Sequence, residues 1–114
     1  MNLPLPVALA HARLTMETVK PSEVDSPASA TAAYEAQNQL SDLIDSPSLG
    51  WKVGATSAAS QEKLGVKAPI CGPVFERTIF QSGDKVDLSG FHHQPGLESE
   101  FAFTIGLTVR PGGP

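Results

Sequence analysis

Three observations predict an α+β fold class. Apolar side chains recur at three- and four-residue steps in the Ala-rich stretch up to about Leu49, alternating strand patterns broken by Gly- and Pro-bearing turns follow from Gly50, and the longest alternation occupies residues 97–105. The chain of 114 residues has room for one small fold, divided into a helical region at 1–49 and a β-rich region at 50–114.

The first helix is expected over residues 7–18, where Val7, Ala10, Leu14 and Thr18 share a face and Pro21 sets the boundary. Pro21, Ser22, Asp25, Ser26 and Pro27 then favour turns, so residues 19–29 are a connector. Ser29 caps a second helix with Ala33, Ala36, Leu40, Leu43 and Ile44 inward and Glu35, Asp42 and Asp45 outward; Pro47 lies beyond its end. A strand at residues 50–56 places Trp51 and Val53 on one face and Lys52 on the other. Ser57 caps a two-turn helix at residues 58–64, closed by Gly65, which tolerates a left-handed stop. Pro69, Gly72 and Pro73 are expected to break the chain around Cys71. Ser82, Gly83 and Asp84 form a turn into a strand at residues 86–88, and Gly90, Pro95 and Gly96 form a loop before the last strand. Residues 110–114 lack an apolar anchor and are expected to fray.

Twelve acids against eight bases give a net charge of −4 with no basic face, which argues against nucleic acid as a partner. A single cysteine allows neither an internal disulfide nor a zinc-site spacing and fits a reducing compartment. Residues 1–12 are apolar, but no Lys or Arg precedes them and Pro4 and Pro6 interrupt them, unlike an export signal. No run approaches the roughly 20 apolar residues that cross a bilayer. The expectation is a soluble, cytoplasmic protein that does not engage a membrane.

The chemistry concentrates in the last alternating run. On a strand, Leu97, Ser99, Phe101, Phe103 and Ile105 face one way, and Glu98, Glu100, Ala102 and Thr104 the other. Strand geometry would hold the two glutamates about 6.5–7 Å apart, within reach of one hard divalent ion such as Mg²⁺ or Mn²⁺, which takes oxygen ligands. The plain alternative is that Glu98 and Glu100 solvate the outer face of an amphipathic strand. Lys52 is likewise either the wet side of its strand or, with Gly50 and Gly54 beside it, a group that a ligand approaches closely. Other residues favour structure. His92 and His93 point oppositely in an extended segment, Cys71 lacks a thiolate-activating motif, and Thr56 and Ser57 serve better as caps than as nucleophiles.

Taken in order, Gly50-Trp51-Lys52-Val53-Gly54-Ala55-Thr56, Leu64-Gly65-Val66, Gly72-Pro73-Val74-Phe75 and Gly96-Leu97-Glu98-Ser99-Glu100-Phe101-Ala102-Phe103 resemble the 2-keto-4-pentenoate hydratase family, within the fumarylacetoacetate hydrolase fold group. Ala33, Tyr34 and Gln37 add to the likeness. The resemblance implies the first part of a β-rich fumarylacetoacetate-hydrolase-type fold after the N-terminal helices, a metal-dependent lyase of aromatic-compound catabolism, and a 2-oxo acid substrate. It further implies Glu98 and Glu100 as two of three acidic ligands to Mg²⁺ or Mn²⁺, and Lys52 as the active-site lysine. Family members are more than twice as long, with the third acid beyond the E-x-E pair, so the resemblance implies a truncated copy of a homo-oligomeric enzyme. Ile70 stands where the family carries a proton-transferring acid. That departure leaves open a related decarboxylase, an acylpyruvate hydrolase or a non-catalytic remnant.

Overall fold

The structure, a computed structural model, describes residues 2–112. Helix α1 spans Leu5–Thr15, α2 Ala30–Leu43 and α3 Ala58–Leu64; strands β1, Ser48–Gly54, and β2, Ile70–Phe75, make one antiparallel two-stranded sheet. Single 3-10 turns occupy Pro21–Glu23 and Glu76–Thr78. Helices and an antiparallel strand pair connected through α3 thus give a mixed α and β chain, and two strands are all the sheet there is among the described residues.

Helix α1 begins with prolines rather than a side-chain cap and ends at Met16, whose φ of 61° turns the chain left-handed. It therefore starts earlier and stops sooner than its spacing predicts, and Thr18 lies outside it. Its buried residues are Pro6, Ala8 and Ala10, whereas Val7 and Leu14 are exposed. The small residues face inward, and Ala10 joins Leu40, Ile44 and Phe75 in the core with Leu9 partly buried beside them. Side chains of this size let α1 and α2 approach closely. A bridge from Leu3 to Val24 ties the segment before α1 to the connector.

Helix α2 follows its sequence signal. The Ser29 side chain accepts a hydrogen bond from the Ala32 backbone N–H at 3.1 Å. Leu40 and the capping residue Ile44 are buried, but Leu43 and Ala33 are exposed, so the inward face is rotated toward Gln37 and Ser41. Helix α3 is capped by Ser57 and closed by Gly65 at φ 68°, as expected.

The segment expected to break around Cys71 is instead strand β2, with Lys52 opposite Gly72 and Trp51 opposite Pro73. Proline is admitted because β2 is an edge strand. In turn, the strands expected at residues 86–88 and 97–105 are absent. Around Asp87 the backbone N–H of Ser89 donates to the carboxylate, a local turn that replaces a ladder. Residues 97–105 carry the right alternation but find no neighbouring strand, and a period of two buries a face only where a neighbour exists. Leu97, Phe101 and Phe103 are 98%, 95% and 83% exposed. The Cα radius of gyration, 16.0 Å, accordingly exceeds the roughly 13 Å of a compact chain of this length. The expected turn at Ser82 and Gly83 is present, with the Asp84 N–H donating to the Gln81 carbonyl. Of the end expected to fray, residues 113 and 114 lie outside the described residues.

Candidate functional site

Strand β1 carries Lys52 at its middle and is positioned by β2, which is in turn fastened to α2. The Cys71 N–H donates to the Tyr34 hydroxyl at 3.2 Å, and Gln37 Nε2 donates to the Cys71 carbonyl at 3.1 Å. Gly72 permits this approach, because a Cβ there would lie 3.4 Å from Gln37 Nε2. Tyr34 and Gln37 therefore set the strand pair that presents Lys52. Their family likeness was the available signal, but nothing in their spacing reveals the contact. Gln37 Oε1 is buried without a partner. Directly after β1, Ala55 is held left-handed at φ 53° and 9% exposed, its carbonyl accepting from Gln61 Nε2. A non-glycine residue in that region costs about 1–2 kcal/mol, so packing around the β1–α3 turn enforces it.

Lys52 and Glu100 are brought together across 48 residues of chain, with Lys52 Nζ donating to Glu100 Oε1 and, at 3.4 Å, to the Val53 carbonyl. Both side chains are about half exposed, at 51% and 45%. Glu98, two residues away on the same uncovered segment, makes no hydrogen bond or ion pair among the described contacts and is exposed. An ammonium has three N–H donors. Two are engaged, and the third remains for an incoming acceptor such as a carboxylate.

The donor set suits a hard divalent ion in kind, since two carboxylates two residues apart offer the oxygen ligands that Mg²⁺ and Mn²⁺ take. No group of three His, Cys, Asp or Glu side chains converges among the described residues. Two cavities, of about 390 and 330 Å³, lie elsewhere. The larger, lined by Arg13, Met16, Leu40 and Phe91 among others, takes in His92 and His93, whose side chains serve as wall. Trp51 is 62% exposed and walls neither cavity. No described helix is long and apolar enough to cross a membrane.

What the structure shows is an ammonium on an exposed strand pair, bonded to one carboxylate, with a second, unbonded glutamate two residues along the chain. Comparison with known proteins makes this particular. The chain is 32% identical over 101 residues to a 2-keto-4-pentenoate hydratase of Burkholderia vietnamiensis (strain G4 / LMG 22486), covering 85% of this chain and 38% of that protein. It is 38% identical over 58 residues to the 2-keto-4-pentenoate hydratase of Paraburkholderia xenovorans (strain LB400), covering 51% of this chain and 21% of the relative. A TodF product hydratase of Pseudomonas putida is 34% identical over 77 residues, 68% of this chain and 28% of that protein. The chain is related by sequence to the 2-keto-4-pentenoate hydratase family, and it spans between about a fifth and two fifths of the length of these relatives. No protein-family model matches the chain, and no solved structure matches it.

Proposed function

We propose that the chain carries the lysine and two of the acidic metal ligands of a hydratase-type lyase site for an enolisable 2-oxo acid. The single observation that supports this reading best is the pairing of Lys52 with Glu100, two residues that the hydratase resemblance assigns to one site and that 48 positions separate.

In this reading the free N–H of Lys52 takes the substrate carboxylate, and its ties to Val53 and Glu100 keep the ammonium from following the substrate into water. Glu98 and Glu100 would hold a divalent cation, Mg²⁺ or Mn²⁺, and when bound it supplies charge stabilisation for an enolate. The substrate class is 2-hydroxypenta-2,4-dienoate, the enol form of 2-keto-4-pentenoate. A proton moves from its enol oxygen to the terminal carbon, and water then adds across the remaining carbon–carbon double bond, its hydroxyl to C4 and its hydrogen to C3. Lys52, already charged, stabilises the negative charge that builds on the oxo acid as water attacks. Ile70, opposite Gly54 on β2, has no titratable group. This departure from the hydratase pattern keeps a related 2-oxo acid decarboxylase or acylpyruvate hydrolase as the second reading.

The test is loss of the diene absorbance of 2-hydroxypenta-2,4-dienoate in the presence of Mg²⁺. Turnover by the chain that falls about 10²-fold or more in Lys52→Met supports the reading, that being the usual cost of one lost charge-stabilising donor. Absence of both turnover and carboxylate-dependent Mn²⁺ binding overturns it, as does turnover indifferent to Lys52→Met and Glu100→Gln.

A further inference from the structure

The larger cavity, of about 390 Å³, shares no residue with the Lys52 site. Its walls come from three parts of the chain: the C-terminal half of α1, Leu40 of α2 and the turn at residues 90–93. That turn is seated rather than loose. The Phe91 N–H donates to the Leu88 carbonyl at 3.2 Å, and Gly90 rests on Met16, where a Cβ would meet Met16 Cε at 3.6 Å. Met16 is itself the left-handed residue that ends α1, at φ 61°.

Apolar and polar groups separate by depth in this cavity. Leu40 is buried and forms the floor with the half-buried Leu9 and Ala12, and Met16 and Phe91 stand as more exposed walls. Arg13, His92 and His93 are exposed at the rim. Arg13 belongs to the last turn of α1, where the helix dipole favours a cation. It forms no ion pair among the described residues; Glu17, one turn on, lies instead with Oε2 3.3 Å from His11 Nδ1. A bend at residues 92–93 brings both imidazoles to the rim, where an extended segment would part them. Each neutral imidazole has one N–H to donate.

A guanidinium presents paired N–H donors that match a carboxylate, and a phenyl ring beside a thioether favours the approach of a second ring. We propose that this cavity is a binding site for a small aromatic monocarboxylate, its ring against Leu40, Met16 and Phe91 and its carboxylate on Arg13, with His92 and His93 donating from the rim. Size agrees. An apolar cavity of about 150 Å³ holds benzene, so this one takes a ring with a short acid arm, and it lies within the roughly 300–1,000 Å³ of small-molecule sites. Charge selects one carboxylate rather than two, because Arg13 is the fixed cation of the lining and the Glu17 carboxylate at the rim repels a second anion. Neither Lys52 nor the two glutamates take part, so the site stands apart from the proposed function.

Phenylacetate is the probe, titrated into the isotope-labelled chain and followed by amide NMR. Saturable shifts are expected at residues 13–18, at Leu40 and at residues 90–93, and they should persist in Lys52→Met, which separates this site from carboxylate binding at Lys52. Arg13→Gln is expected to weaken binding by about tenfold or more, and Arg13→Lys, which keeps the charge without the fork, by less. Arg13 is exposed, so both variants should keep the parent circular dichroism. Phenylacetamide, with the ring but no charge, and acetate, with the charge but no ring, should each bind at least about tenfold more weakly, and these two decide the question on the unaltered chain. Absence of saturable shifts overturns the proposal, as does phenylacetate binding no tighter than either analogue or indifferent to Arg13→Gln. Shifts that vanish in Lys52→Met overturn it equally, since they would place the ligand at the other site.

Discussion

Phe75→Ala tests where the stability of this chain resides. Phe75 is 3% exposed, the most buried core side chain, and closes the end of β2 over Ala10, Leu40 and Ile44. Its neighbours are few. Truncating a buried phenylalanine costs about 3–5 kcal/mol, the larger values belonging to sites whose walls cannot relax. Here the walls are two helices and a strand end with solvent close by, and no side chain in the core is below 2% exposed. The void can partly collapse, which places the expected loss near the lower end, about 3 kcal/mol. Domains of this size are stable by about 5–15 kcal/mol in all, so the variant should lose a large share of its stability. Urea unfolding followed by circular dichroism, at concentrations where the chain is monomeric, reads the change as a lowered midpoint with the slope preserved. Phe103→Ala, at an 83% exposed position, serves as control and should stay within about 0.5 kcal/mol of the parent. A loss below about 1 kcal/mol for Phe75→Ala, or equal losses for the two variants, would refute the assignment of the core to the α1, α2 and β2 junction.

Ser29→Ala removes the acceptor for the Ala32 N–H and is expected to cost about 1 kcal/mol, read from the same urea curves. Gly65→Ala puts a Cβ on a residue at φ 68° and should cost about 1–2 kcal/mol; space is no obstacle, since a Cβ there meets nothing within 4 Å, so the loss isolates backbone strain. The backbone N–H of Ser89, followed by its hydroxyl, holds the Asp87 carboxyl below the ordinary carboxylate range. A depressed folded-state pKa contributes stability that is present above the unfolded value and is lost as pH falls through the folded one. Carboxyl-carbon NMR titration should therefore place Asp87 below an unfolded peptide control, with Ser89→Pro moving it back up.

The parts of the fold legible in the sequence are those fixed within a few residues of chain. Ser29 and Ser57 as caps, Gly65 as a left-handed stop and the Ser82–Gly83 turn each depend on local hydrogen bonds or local φ, and each is found. Parts that depend on a distant neighbour are not legible in this way. Gly72 and Pro73 look like breakers, but they sit on an edge whose outward groups are met by Tyr34 and Gln37, contacts that cross more than thirty residues. Leu43 and Val7 sit at the helical spacing of a buried face and are exposed, because the inward faces of α1 and α2 are set by Ala10 meeting Leu40 and Ile44 rather than by residue size. Residues 97–105 hold every local mark of a strand and lack the partner. In the candidate site, Lys52 and Glu100 were legible as a pair only through the family likeness; the role of Gln37 in seating the strand pair emerges from the structure.

The energetics of the Lys52–Glu100 pair separate function from folding. Both side chains are about half exposed, a setting in which an ion pair contributes about 0–1 kcal/mol and salt screens it further. One such contact cannot order the thirteen residues of segment 97–109, since fixing each backbone residue costs about 1–2 kcal/mol. Glu100→Gln should therefore leave the urea midpoint within about 0.5 kcal/mol of the parent, with Lys52→Met behaving alike, because neither group belongs to the core built on Phe75. A loss above about 1.5 kcal/mol in either variant would make the pair a structural clasp and remove the reason to read it as binding chemistry. With the fold indifferent to both substitutions, any loss of Mn²⁺ binding or diene turnover they cause is attributable to charge at the site.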